Sequence, residues 1–121
     1  MKLNHINLPV DDVAATSRFF EQYFDFTCTE IKGDNALAVL TGEDDFTLVL
    51  MSKVFNRNAE ISYPEAFHIG FLVNSNEQVD KIYQRLIAGG VTLDKSPGQI
   101  RGQYGFYFMA PGDLLTEVTA Y

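Results

Sequence analysis

The strongest constraint on this 121-residue chain is that its pattern is written twice. His5-Ile6-Asn7-Leu8-Pro9-Val10 can be laid over His68-Ile69-Gly70-Phe71-Leu72-Val73, a shift of 63 residues (from 5 to 68) and about half the chain. Each copy opens on a histidine and reads as a strand. Each then runs into a polar cap and a helix: Asp11-Asp12 ahead of Val13–Phe24, and Asn74-Ser75-Asn76 ahead of Gln78–Ala88. A repeat of this period implies a pseudo-twofold pair of modules, each burying its apolar face against a partner.

Periodicity fills in the rest. Residues 2–10 read as the first strand, and the helix after it carries Phe19, Phe20, Tyr23 and Phe24 at helical spacing, a core stripe. Strands are predicted at 26–31, 36–40 and 46–51, separated by the turn chemistry of Gly33-Asp34-Asn35 and Gly42-Glu43-Asp44-Asp45. After a linker the pattern restarts with a strand at 66–73 and a helix at 78–88 that stops on Gly89-Gly90. Strands at 91–94, 104–109 and 114–121 close the chain, the last two joined by Pro111-Gly112-Asp113. The expected class is α+β: two βαβββ modules in tandem, 1–52 and 65–121, joined by the linker 53–64 within one domain.

Composition narrows the function. The net charge of −7 argues against nucleic acid, whose affinity comes from Lys and Arg at phosphates, and against an anionic membrane surface. No apolar run approaches the roughly 20 residues of a membrane span, and the first residues lack the apolar stretch of a signal peptide. Cys28 stands alone, which forbids an intrachain disulfide. The expectation is a soluble, cytoplasmic protein. Ten Phe and six Tyr are a surplus that suits the lining of a pocket.

Alternation along the strands then assigns faces. His5 and Asn7 share one face of the first strand; His68 lies opposite Phe67, Ile69, Phe71 and Val73, beside Gly70. Leu115, Glu117, Thr119 and Tyr121 share a face of the last strand, which leaves a carboxylate in the middle of an apolar segment. The chain has two histidines, and they take equivalent places in the repeat. A divalent metal accounts for His5, His68 and Glu117 together, because two imidazoles and a carboxylate make a facial triad with open positions for substrate. The plainer alternatives are hydrogen-bonded structural histidines and a Glu117 that sits on a solvated edge or pairs with Arg101 or Lys95.

At this point the sequence resembles the vicinal oxygen chelate superfamily of glyoxalase I, extradiol dioxygenases, and fosfomycin- and bleomycin-resistance proteins. The resemblance covers essentially the whole chain. It rests on His5-Ile6-Asn7-Leu8, on Phe67-His68-Ile69-Gly70-Phe71, and on Phe106 to Asp113 followed by Glu117. In the closing turn Ala110 replaces the family's usual Asp before Pro111. The resemblance implies cupped half-barrel sheets of mixed and antiparallel strands, with His5, His68 and Glu117 holding Fe, Mn, Ni, Zn or Co, and Glu117 also the candidate catalytic group. It implies a homodimer acting on a small molecule.

The fourth ligand of glyoxalase I corresponds to Val49, which cannot ligate, so three ligands look more like the dioxygenase and fosfomycin-resistance pattern. The chain is half the usual dioxygenase length, and nothing positive follows Glu117. The candidate substrate contacts are Arg101, Tyr104, Tyr107, Val49 and Asn7. Arg101 lies in Gly98–Gly105, read as a flexible stretch over the mouth of the cup, where it would grip a substrate carboxylate or phosphonate or simply stand in solvent. Tyr104 and Tyr107 are pocket walls or core. The reading favours a metal-dependent enzyme acting on neighbouring oxygens, dioxygenase-like or lyase/transferase-like. A metal-free binder that sequesters a cationic aromatic molecule and a regulatory domain with a degenerate site are the alternatives.

Overall fold

Asp12 begins the first helix as the sequence expects. Its backbone is extended, and its carboxylate accepts a hydrogen bond from the Ala15 N–H at 3.0 Å. That bond holds the Asp12 carboxyl below the usual carboxylate range. Asn35 reinforces the start of the helix by accepting from the Ala14 N–H at 2.8 Å. The computed structural model describes residues 1–55 and 62–121, and these form two compact units, Met1–Ser62 and Tyr63–Tyr121. The stretch 56–61 of the expected linker lies outside the described residues.

In the first unit, strand β1 (His5–Val10) is followed by helix α1 (Val13–Phe24) and strands β2 (Thr27–Lys32), β3 (Leu37–Thr41) and β4 (Thr47–Ser52). The sheet order is β1-β4-β3-β2, with β1 parallel to β4 and the other pairs antiparallel. Leu8, Val10, Ala38, Leu40, Leu48 and Leu50 are buried with Val13 and Phe20 of α1, whose Phe20 ring meets Phe26 edge-on at 5.9 Å. The alternate residues of β1, His5 and Asn7, are exposed.

The second unit repeats this plan with β5 (His68–Val73), α2 (Asn76–Ala88), β6 (Gly98–Ile100), β7 (Gln103–Ala110) and β8 (Leu114–Ala120), in sheet order β5-β8-β7-β6. Ser75 caps α2 by accepting from the Gln78 N–H, and the Gln78 side chain reaches back to the Asn74 N–H. Val79 and Leu86 are fully buried on the inner face of α2, and Tyr83 packs edge-on against Phe106 of β7 at 5.4 Å. Both sheets are open and mixed. No helix among the described residues is long and apolar enough to cross a membrane.

Two expectations fail at one place. The strand predicted at 91–94 does not form, and Gly98–Gly105 is not a loose cover but a β-hairpin. Arg101 and Gly102 both take positive φ, +47° and +82°, the backbone of a two-residue turn that matches strand twist. That turn folds Gly98–Ile100 back on Gln103–Gly105, so the module's second strand lies after Pro97 rather than before it. A side chain at Gly105 would collide with the Val118 carbonyl of the adjacent strand, so only glycine lets β7 approach β8 there. Gly105→Ala is therefore expected to destabilise the protein by at least about 2 kcal/mol in urea unfolding.

Candidate functional site

Glu117 lies in the middle of β8, between Gly70 of β5 and Tyr107 of β7 in the sheet register. Strand alternation turns Thr116, Val118 and Ala120 into the apolar layer and sends Glu117 to the other face. The whole residue is nonetheless only 6 % exposed. Gly70 contributes no side chain next to it, which leaves room beside the carboxylate.

A buried carboxylate in such a strand needs a positive partner. Arg101 provides it from the tip of the β6–β7 hairpin, with Nη2 at 3.0 Å from Oε1 and 2.8 Å from Oε2. This is one of the two pairings the sequence left open for Glu117. Tyr107 joins the cluster: burial pushes its phenol above the ordinary value of 10.0, hydrogen bonding to Glu117 adds to the shift, and Arg101 opposes it. The carboxylate in turn holds the Arg101 guanidinium more firmly protonated.

His68 stands beside them, its ring edge-on to Tyr107 with centroids 6.0 Å apart. Its Nδ1 is 3.0 Å from the Ala66 carbonyl, an acceptor, so Nδ1 carries the proton. In the neutral ring Nε2 then carries the lone pair, and it lies 3.4 Å from Glu117 Oε2, beyond a good hydrogen bond. The lone pair of His68 Nε2 thus faces the Glu117 carboxylate.

The remaining candidates are placed as follows. His5 is on β1 in the first unit, with Nδ1 2.7 Å from Asn4 Oδ1, an environment that fixes the ring through the same nitrogen as in His68. Asn7 and Val49 are register partners on β1 and β4 of that unit. Tyr104 is not beside Tyr107: its hydroxyl donates to Asp80 Oδ1 on α2 at 2.6 Å, on the opposite face of β7. Residues three apart on a strand face opposite ways, a parity that the sequence already contains. The Asp80 partner and the Ala66 carbonyl carried no sequence signal.

The donor chemistry of His68 and Glu117 suits a cation. A histidine tied through Nδ1 to a backbone carbonyl, offering Nε2 toward a carboxylate, is how proteins orient metal-binding imidazoles. In this structure the cation on Glu117 is the Arg101 guanidinium. Among the described residues no group of three or more His, Cys, Asp or Glu side chains is close enough to hold a metal ion.

The family model for the Glyoxalase/Bleomycin resistance protein/Dioxygenase superfamily matches residues 2–118. The chain belongs to this superfamily. A solved structure described as a possible glyoxalase from Bacillus cereus is 43% identical, covers 98% of each chain, and superposes with a TM-score of 0.85. A lactoylglutathione lyase from Agrobacterium tumefaciens shares the fold at 18% identity and a TM-score of 0.77, covering 98% of this chain and 92% of that one. A virulence protein of Salmonella typhimurium is 22% identical over 99% of this chain and 84% of its own length. Across the superfamily divalent metals are common, which makes the donor pair on β5 and β8 the part of this member to test.

The tyrosines give a pH signature. Hydrogen bonding to Asp80, more than burial, raises the Tyr104 phenol above 10.0. A raised phenol stabilises the fold below the unfolded-state value, and that contribution disappears as pH climbs through the folded value. In ultraviolet titration, Asp80→Asn is expected to move one tyrosine transition to lower pH and to leave the Tyr107 transition raised. An unchanged profile in that variant would contradict the assignment.

Proposed function

We propose that the chain is a divalent-cation-dependent enzyme acting on a small substrate with two neighbouring oxygens. His68 and Glu117 are the proposed ligands, both in the second unit. The observation that carries this is His68: Nδ1 bound to the Ala66 carbonyl leaves Nε2 as a lone-pair donor toward the buried Glu117 carboxylate. A cation bound there supplies Lewis-acid polarisation of adjacent substrate oxygens. The chain's own groups do the rest. Glu117 and His68 supply negative charge and lone pairs. Tyr107 presents a protonated phenol beside Glu117. Gly70 leaves space for the substrate beside Glu117. Val49 at the position of the fourth glyoxalase I ligand favours a dioxygenase-like or fosfomycin-resistance-like activity over a four-ligand glyoxalase I.

A second reading is favoured by a specific contact. Arg101 already neutralises Glu117, so the same face also suits a metal-free binder of the bleomycin-resistance type. Elemental analysis of protein purified without chelator or affinity metal separates the two. The proposal expects about one divalent ion per chain, lost in His68→Ala with the circular dichroism unchanged. A folded wild type that takes up none of Mn, Fe, Co, Ni or Zn on reconstitution would leave the metal-free reading in its place.

A further inference from the structure

The contact between Arg101 and Glu117 is made by one nitrogen of the guanidinium. A guanidinium normally meets a carboxylate fork to fork, two nitrogens on two oxygens. Here a single nitrogen, Nη2, serves both oxygens, at 3.0 and 2.8 Å. One guanidinium nitrogen thus lies between the two carboxylate oxygens, the position a chelated metal cation takes. Oε2 also faces His68 Nε2, at 3.4 Å.

The backbone beneath Arg101 is equally specific. Arginine occupies the first central position of a two-residue hairpin turn at φ +47°, a position that Asn, Asp and Gly fill at lower steric cost. The turn sets the arginine at the hairpin tip, from which its side chain reaches Glu117. The two partners also differ in their access to water: the Arg101 side chain is 65 % exposed, that of Glu117 8 %. The guanidinium can withdraw into solvent, whereas the carboxylate stays in the sheet.

From these three observations we propose that Arg101 is a resident counter-ion that a divalent cation must displace from Glu117. This rests on the cation-dependent reading above and adds to it a residue that sets how tightly the cation is held. With Nη2 seated between both oxygens, a divalent ion that chelates the carboxylate competes with the guanidinium for that position, and like charges at that separation repel. The pair therefore keeps Glu117 neutralised and lowers the apparent affinity for the cation. Once displaced, the arginine is available at the mouth of the site for an anionic group of the substrate.

The test uses Arg101→Asn in the full chain, because asparagine suits the positive φ and removes the charge without straining the turn. Manganese(II) chloride is titrated into wild type, Arg101→Asn, Arg101→Lys, His68→Ala and the Arg101→Asn/His68→Ala double variant, with binding followed by calorimetry and by the loss of the free-ion paramagnetic resonance signal. The expected result is at least about tenfold tighter binding in Arg101→Asn than in wild type, with Arg101→Lys between them. It includes lower thermal stability of metal-free Arg101→Asn and no binding in either variant that lacks His68. Equal affinity in wild type and Arg101→Asn, still lost with His68, would overturn the counter-ion role and leave the cation site standing. Binding that survives the loss of His68, or no binding by any folded variant, would overturn both. If Arg101→Asn fails to fold, Arg101→Lys decides: affinity equal to or weaker than wild type overturns the counter-ion role.

Discussion

A carboxylate held inside the face of a sheet, next to an apolar layer, is tolerable only with a positive charge against it. Much of the second unit is arranged around that requirement at Glu117. The hairpin between β6 and β7 turns on a positive-φ arginine so that its side chain reaches the carboxylate. Gly70 withholds a side chain on one flank, and Tyr107 adds a phenol on the other. His68, anchored to the Ala66 carbonyl, directs its second nitrogen to the same carboxylate. These groups come from β5, the β6–β7 turn, β7 and β8, so the parallel pairing of β5 with β8 is what assembles them.

That pairing follows from the repeat. In each unit the first strand lies parallel to the last and a single helix covers the apolar face, which leaves the other face of the first strand to the histidine. The superfamily to which the chain belongs shares this architecture with proteins of widely different names, so fold alone assigns no reaction. The chemistry of this member depends on the residues that the second face carries.

The sequence disclosed the repeat because period-two alternation and helix caps are local signals. α1 at Val13–Phe24 agrees with the sequence reading to the residue, and Asp12 is the member of the Asp11-Asp12 pair that caps it. Ser75 was legible within the cap Asn74-Ser75-Asn76. Glu117 stood out in the sequence as a carboxylate in an apolar strand, but a solvated edge remained open there, and the structure buries it. The hairpin at Arg101 was hidden for a physical reason: turns of its type announce themselves through Asn-Gly or Asp-Gly, and an arginine in the first place conceals one. Val91-Thr92-Leu93-Asp94 has the composition of a strand, but the chain forms one only where the Arg101-Gly102 turn brings it back on β7. The Tyr104–Asp80 bond joins residues 24 apart on a strand and a helix, a tertiary contact without local signature.

The account's central claim is that the charge opposite Glu117 is exchangeable, an arginine in one state and a divalent cation in the other. The most direct measurement is a crystal structure of the protein soaked in manganese, with the ion located by its anomalous scattering. The account predicts a peak bound by Glu117 and His68, with the Arg101 side chain withdrawn from the carboxylate. A peak elsewhere, or Arg101 still seated on both oxygens of Glu117 in manganese-saturated crystals, would contradict it.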